Sequence, residues 1–330
     1  MRKILITGGL GFIGLHLSDV LSESLENSIV LVDNLNRGRL DEDARRVVSR
    51  PNVTFCKGDL TKKEFVFSLG GGFDYAYHFA AIIGVKNVIE NPEKVLSVNA
   101  VSTLNLLEWA SAGNCKNFLF SSTSEAYAWT FQEYEAVIPT PEDIPLAITD
   151  LQNPRASYAG SKIFGELCAM AFGQKFNTKI SVVRYHNIYG PRMGFDHVIP
   201  QIFKRLKIER ENPLTVYSPD NSRAFCYITD ALRATIAVQV SKKTENEVIN
   251  IGNDNEEIKI MDLAERIADI CKLSSVGLIG ENAENDPVKR RCPDISKLRA
   301  LTGVTPKIPL DTGLRKTLNW YAKNFASQTS

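Results

Sequence analysis

Tyr158 and Lys162 stand four residues apart in a stretch that reads as helix, Ser157 to Phe176, so their side chains share one face. A free tyrosine, with a pKa of about 10, is a poor base at neutral pH. A neighbouring ammonium favours the phenolate, which can take a hydroxyl proton while hydride leaves the adjoining carbon. A second polar group, Ser122-Thr123-Ser124-Glu125, follows the apolar run Asn117 to Ser121. Thr123 and Ser124 are suited to hydrogen-bond a substrate hydroxyl; alternatively they cap the segment that follows, as Ser and Thr do at helix starts. Glu125 adds a carboxylate that a simple dehydrogenation does not need. Tyr158, Lys162, Thr123, Ser124 and Glu125 are therefore the expected catalytic set.

The spacing Y-x-x-x-K is common on helices, and its weight here comes from the amino terminus. Residues 4 to 14 read Ile-Leu-Ile-Thr-Gly-Gly-Leu-Gly-Phe-Ile-Gly, an apolar strand running into a glycine turn and a helix. Gly8, Gly11 and Gly14 are spaced for a tight turn, close approach of a pyrophosphate and packing of helix on strand. The helix beginning near Gly11, with Phe12 and Ile13 in its first turn, points its unpaired amides at those phosphates. A second strand, Ile29 to Val32, ends in Asp33, about twenty residues beyond the turn, where an acid bonds ribose hydroxyls. A carboxylate there repels the extra phosphate of NADP, so NAD is the expected cofactor. Arg37 and Arg39 follow closely; they either argue for NADP or are solvated loop charges.

These residues need a scaffold, and the first half alternates strand and helix. Val53 to Cys56 is a strand ending at Gly58-Asp59, Tyr75 to Phe79 another, and Asn117 to Ser121 a third. Pro92 to Ala112 between the last two has helical apolar spacing, with proline at its start and Gly113 after its end. Such alternation predicts an α/β fold, a doubly wound parallel sheet whose ligands bind beyond the carboxyl ends of its strands. Trp129 to Pro154, rich in proline, reads as a long loop near the active site or as a plain surface connection. Strand Lys179 to Arg184 follows the Tyr158 helix. Helices Val198 to Ile208, Ile260 to Lys272 and Leu310 to Phe325, with a loop and helix over Pro287 to Gly303, predict a smaller C-terminal substrate-binding domain. The expected division is 1–180 for NAD, with 223–252 returning to it, and 181–330 for the substrate.

The chain of 330 residues has room for one large or two modest domains. Its net charge of +1 gives no basis for a nucleic-acid or anionic-membrane partner. The run Lys289-Arg290-Arg291 suits a phosphate-bearing small molecule or a solvated loop. Six cysteines without a C-x-x-C pair support neither a zinc site nor a disulfide framework, and no metal is expected. Met1-Arg2-Lys3 leads directly into the first strand, and no apolar run approaches the roughly 20 residues that span a bilayer. A cytoplasmic protein is expected.

With these residues in view, the chain resembles the extended short-chain dehydrogenase/reductases that modify nucleotide sugars, whose fold is of the Rossmann type. The likeness runs through Thr7-Gly8-x-x-Gly11-x-x-Gly14, Asp33, Asp59-Leu60, His78-x-Ala80-Ala81, Thr123-Ser124-Glu125 and Tyr158/Lys162. It continues through Arg184-x-x-Asn187-x-Tyr189-Gly190-Pro191-Arg192, Arg223-Ala224-Phe225, Asp230, Asn250-x-Gly252-Asn253 and Arg291-Cys292-Pro293-Asp294-Ile295-x-Lys297. The resemblance implies that Asp59 and Leu60 sit at the adenine, that Asn34, Ala80 and Ala81 join the cofactor site, and that Lys162 also holds the nicotinamide ribose. It implies that Asn187, Arg192, Arg223 and Arg291 bind the sugar nucleotide, which is UDP-linked, through its diphosphate. A guanidinium fork suits two phosphate oxygens; Asn187 reads equally as a turn residue before Gly190-Pro191. The Thr-Ser-Glu cluster, Asn153-Pro154-Arg155-x-x-Tyr158 and the tail from Asp286-Pro287 through Lys297 are most similar to UDP-glucuronate decarboxylases. Ala128, Ala159-Gly160-Ser161 and His186 depart from that pattern.

The family's reactions share a beginning: Tyr158 takes the C4 hydroxyl proton, NAD takes the C4 hydride, and a 4-ketone results. With a carboxylate at C6 the β-keto acid loses carbon dioxide. With a hydroxymethyl there, Glu125 can remove the C5 proton and water is expelled, as in a 4,6-dehydratase. With neither, the sugar turns over and a 4-epimerase results. UDP-glucuronate decarboxylation is the preferred expectation, and a non-catalytic NAD-binding sensor or scaffold is the rival from another class. Helices Pro92 to Ala112 and Ser157 to Phe176 carry more apolar surface than one sheet face needs; in relatives such helices pair across a two-fold axis, so a homodimer is expected.

Overall fold

Seven parallel strands make the central sheet, in the order β11-β6-β5-β4-β1-β2-β3. In this computed structural model, which describes residues 1–133, 137–176, 178–282 and 288–325, the first half runs β1 (Arg2–Thr7), α1 (Phe12–Leu21), β2 (Asn27–Asp33), α2 (Glu42–Val48), β3 (Val53–Lys57), α3 (Lys63–Ser68), β4 (Phe73–His78), α4 (Val85–Glu90), α5 (Pro92–Trp109) and β5 (Cys115–Thr123). A one-turn helix α6 (Thr130–Glu133), α7 (Ala156–Phe176) and β6 (Lys179–Tyr185) follow. Then come β7 (Ile188–Tyr189), α8 (Val198–Lys207), β8 (Leu214–Tyr217), β9 (Ser222–Ala224), β10 (Cys226–Tyr227) and α9 (Ile228–Val240), before the chain re-enters the sheet as β11 (Val248–Ile251). The remainder is β12 (Glu257–Lys259), α10 (Ile260–Ile270), β13 (Leu278–Glu281), β14 (Arg290–Arg291), α11 (Ser296–Thr302) and α12 (Leu310–Phe325).

The strands are apolar on both faces because helices cover both. Ile4 and Ile6 of β1 join one core with Leu17, Ala44 and Ala231; Leu5 between them joins a second with Leu106, Leu107 and Ala169. One residue of β1 thus serves one core and the next the other, which is the period of a strand. The strand order reverses between β1 and β4, and the glycine turn after β1 lies at that switch point, where open α/β sheets bind ligands.

Helix α5 ends three residues short of the expected Ala112. Its last turn widens around Gly113, whose φ is 84°, while Trp109 is buried and bonds the Gly70 carbonyl at 2.8 Å. The C-terminal elements pair among themselves: β12-β9-β14 form one small sheet, and β13 with β8 another. The amphipathic helices α8 and α10 bury Ile202, Phe203 and Leu206, and Leu263 and Ile267. Part of the Trp129–Pro154 loop, residues 134–136, lies outside the described residues, as do Asp286 and Pro287 at the start of the decarboxylase-like tail. No helix among the described residues is long and apolar enough to cross a membrane.

Candidate active site

The glycine turn closes through the Gly11 amide, which donates to the Gly8 carbonyl at 3.0 Å. Gly8 has φ of +66°, and a Cβ on it would lie 2.8 Å from the Ala80 amide nitrogen; one on Gly14 would collide with the Gly8 carbonyl. No side chain could be added at either place, so backbone alone faces the space above the turn. Gly11 is the N-cap of α1 and brings no side-chain cap, so the first amides of α1, Phe12 and Ile13 among them, remain available to an anion. Ala80 and Ala81 follow β4 directly beside Gly8.

Asp33 ends β2, is 8% exposed, and accepts from the Leu10 amide at 3.1 Å and the Leu35 amide at 2.8 Å. A Cβ on Gly38 would lie 2.7 Å from both its carboxylate oxygens, so the following loop passes directly over the acid. Asn34 accepts from the Asn36 amide at 3.0 Å. Asp59, beyond β3, accepts from the Thr61 amide and hydroxyl at 2.9 and 2.8 Å, and buried Leu60 follows it. This cradle of bare backbone, helix amides and a terminal acid fits a dinucleotide.

Tyr158 and Lys162 lie on α7 beneath the end of β5. Tyr158 is hydrogen-bonded to Thr123, and burial pushes its phenol up to about 12 despite that bond and the charge of Arg37. Lys162 is 4% exposed and donates to the Ser121 carbonyl at 2.8 Å; burial pulls its ammonium down to about 8. Desolvation therefore outweighs the lowering by Thr123 and Arg37, and the phenol stays protonated unless further positive charge is brought to it. Of the two readings of Thr123, the structure shows the cap, together with a bond to Tyr158 that neither reading named. The Thr123 hydroxyl accepts from the Glu125 amide at 3.2 Å, capping the short turn that contains buried Ser124.

Glu125 accepts from Arg291 at 2.6 Å, across 166 residues of sequence. That guanidinium holds its carboxyl below the usual range, against burial, with Arg155 and Arg223 adding to the effect. Arg291 pairs with Arg223 in register between β14 and β9, so the two arginines expected at the sugar nucleotide are neighbours across strands. The Arg291 Nε is buried without a hydrogen-bond partner. Asn187 has φ of 45° and donates to the Ala224 carbonyl at 3.1 Å, next to Arg223.

Arg192 lies apart from this group. Its guanidinium reaches Asp41 at 2.7 Å and the carbonyls of Leu10 and Arg39 at 2.9 Å, against the glycine turn. The chain leaves β7 through Pro191, whose carbonyl bonds His16 on α1, and this directs Arg192 toward the cofactor end. Two arginines absent from the expected set stand at the site. Arg155, one turn before Tyr158, faces Glu125, and Arg37 faces Tyr158 while pairing with Asp196 at 3.7 Å. Arg155 was within reach of sequence reasoning, since it precedes Tyr158 by three residues; Arg37 was weighed only as a sign of NADP or a solvated charge, and nothing local points it at Tyr158.

The profile of the NAD-dependent epimerase/dehydratase family matches residues 4–252. The chain is 30% identical to a UDP-N-acetyl-α-D-glucosaminuronate decarboxylase of Bacillus cytotoxicus, over 97% of this chain and 98% of that one. It is 31% identical to UDP-glucuronic acid decarboxylase 1 of Xenopus tropicalis, over 100% of this chain and 74% of that one. A UDP-glucuronic acid 4-epimerase variant of Bacillus cereus, solved with UDP-4-deoxy-4-fluoro-glucuronic acid and NAD, superposes with a TM-score of 0.85 at 26% identity, covering 98% of this chain and 100% of that one. With a profile match over most of its length and relatives that span it, this chain belongs to the NAD-dependent epimerase/dehydratase family.

Proposed function

We propose that the protein decarboxylates a UDP-linked hexuronate of the UDP-glucuronate type, and the Glu125–Arg291 pair carries the reading. Gly8, Gly11, Gly14, the Phe12 and Ile13 amides, Asp33, Asn34, Asp59, Leu60, Ala80 and Ala81 would hold the dinucleotide, with Tyr158 and Lys162 at its nicotinamide end. When bound, NAD accepts hydride at the sugar C4 and gives it back, so it is regenerated in each turnover. Thr123 orients the C4 hydroxyl and Tyr158 takes its proton. Lys162, anchored on the Ser121 carbonyl, supplies the positive charge that steadies the phenolate. A 4-ketone beside a C6 carboxylate makes a β-keto acid, which loses carbon dioxide without a base at C5.

The electrostatics favour that outcome over dehydration. A dehydratase needs a group that removes the C5 proton, and a carboxyl held low by a guanidinium is a weak base. The same pair suits an acidic sugar: Glu125 accepts from one end of the Arg291 guanidinium and fixes its plane, and a guanidinium so held is matched to a second carboxylate. Arg223 and Asn187 are assigned to the diphosphate, and Arg192 to bracing the glycine turn. The B. cereus neighbour supports an alternative in which a hexuronate is epimerised at C4 instead. The deciding experiment incubates the NAD-loaded protein with a panel of UDP-sugars and follows product mass. Loss of carbon dioxide from a UDP-hexuronate is expected; loss of water, or a product of unchanged mass, selects the dehydratase or the epimerase.

A homodimer through α5 and α7 belongs to the same proposal. The two helices lie side by side, and Leu96, Val101, Phe164 and Leu167 on them are exposed. Sedimentation as a monomer at micromolar concentration would contradict it.

A further inference from the structure

Behind the Glu125–Arg291 pair runs a chain of buried polar side chains that the chemistry above does not use. Glu166, one turn beyond Lys162 on α7, receives Arg184 of β6 through two bonds, of 2.9 and 2.6 Å, and also the Ser122 hydroxyl. Arg184 continues to the Tyr127 hydroxyl at 2.6 Å and the Glu142 carbonyl at 2.9 Å. Tyr127 donates to Asn250 Oδ1 at 3.0 Å, and the same oxygen meets His186 Nε2 at 3.0 Å. Asn250 Nδ2 donates to the carbonyls of Thr140 and Asp294 at 3.0 and 3.1 Å, and its own amide donates to Glu142 Oε1 at 2.8 Å. Asn250 is fully buried in β11.

That placement has a consequence for Arg291. Residues 292–294, immediately after it, are joined to the 140 loop by the Thr140 amide on the Cys292 carbonyl and the Asp294 amide on the Thr140 carbonyl, each 2.9 Å. The Asn250 side chain bonds both strands of that junction and also, through Tyr127, the turn that carries Glu125. Because Nδ2 faces two carbonyls, Oδ1 must be the acceptor, and His186 presents its Nε2–H. His186 is buried, and desolvation keeps it neutral with a pKa of about 3 beside the charges of Arg291 and Arg184. A second cation is thereby kept away from the guanidinium that serves Glu125.

We propose that Asn250, held by His186 and Tyr127, is the positioning residue that sets Arg291 against Glu125. The inference rests on the reading that this pair meets the sugar carboxylate, but it can be tested without any substrate. The experiment is a carbon NMR titration of the Glu125 carboxyl, assigned by subtraction with Glu125→Gln, in the wild type, Asn250→Ala, His186→Phe and His186→Gln. Arg155, Arg223 and Tyr158 also face Glu125 and are unchanged in every variant, so the expected movement is partial. In Asn250→Ala the Glu125 midpoint should rise toward the ordinary carboxylate range; His186→Phe should give a smaller rise, and His186→Gln, which keeps a donor, should restore the wild-type value. With substrate, Asn250→Ala should lower kcat by about tenfold while KM changes little.

A folded Asn250→Ala protein, judged by near-ultraviolet circular dichroism, in which Glu125 titrates as in the wild type overturns the proposal. If Asn250→Ala does not fold, His186→Phe decides it by the same measurement: an unmoved Glu125 overturns it and a raised one supports it. Should Glu125 move as expected while the wild type releases no carbon dioxide from any UDP-hexuronate, the positioning role stands and the decarboxylase reading falls.

Discussion

At the cofactor end, Gly8, Gly11, Gly14 and Asp33 all come from one strand–helix–strand unit, and the amides that close the turn and meet the acid, those of Gly11, Leu10 and Leu35, belong to that unit or to the loop just after it. At the sugar end, Glu125, Arg155, Arg223 and Arg291 come from four separate segments, and nothing within a few residues of any of them fixes its neighbour. The first arrangement is set by local backbone geometry, and the second by long-range packing on the sheet's carboxyl edge. The difference separates two kinds of change. On the proposed roles, damage to the glycine turn should remove the cofactor and with it every reaction of the family, while damage to the sugar end should leave the cofactor bound and alter what becomes of the oxidised sugar.

The widest effect that tests this division is expected at the junction of the two ends. Tyr158→Phe removes the only proton acceptor proposed for C4 oxidation and should cut turnover by about 10²–10⁴-fold. Binding of NAD and of UDP-sugar, measured by calorimetry, should stay near wild type, since the phenol ring remains. Next comes the sugar end alone. Arg291→Lys replaces a planar fork with a point charge, and losing a charge-assisted bond of about 1.5–3 kcal/mol should slow decarboxylation roughly tenfold to a hundredfold. Its NAD affinity should not move; a matching fall in NAD affinity would mean that the two ends are not separable. The smallest effect is expected at the cofactor end. Asp33→Ser should weaken NAD by about fivefold, for a net hydrogen bond of about 1 kcal/mol, and narrow the preference over NADP. Tighter binding of NADP by the wild type would remove Asp33 from that role.

The same division explains what could be read in advance. The glycine turn, the Tyr158/Lys162 pair and the strand–helix alternation rest on spacings within one element or one turn, which residue types report directly. Asp33 and the Thr123 cap belong to that class as well. Arg192 did not: its motif follows Asn187 closely, and only the path of the chain through Pro191 sends its guanidinium to Leu10 and Asp41. Arg291 was expected at the diphosphate; its bond to Glu125 was not legible, because β14 adds to β9 in a small sheet with no periodic signal of its own. The protonation of Tyr158 was also beyond reach, since it turns on how deeply α7 buries the phenol under β5. Asn250 stood in a recognisable motif, but its four side-chain partners lie in four different parts of the chain.

The central claim, that the sugar end decarboxylates, is tested most directly with carboxyl-labelled UDP-glucuronate and the NAD-loaded wild type. The account predicts that label leaves as carbon dioxide, at a rate that Arg291→Lys lowers without loss of bound NAD. Turnover of the substrate with the label fully retained in the product would contradict it.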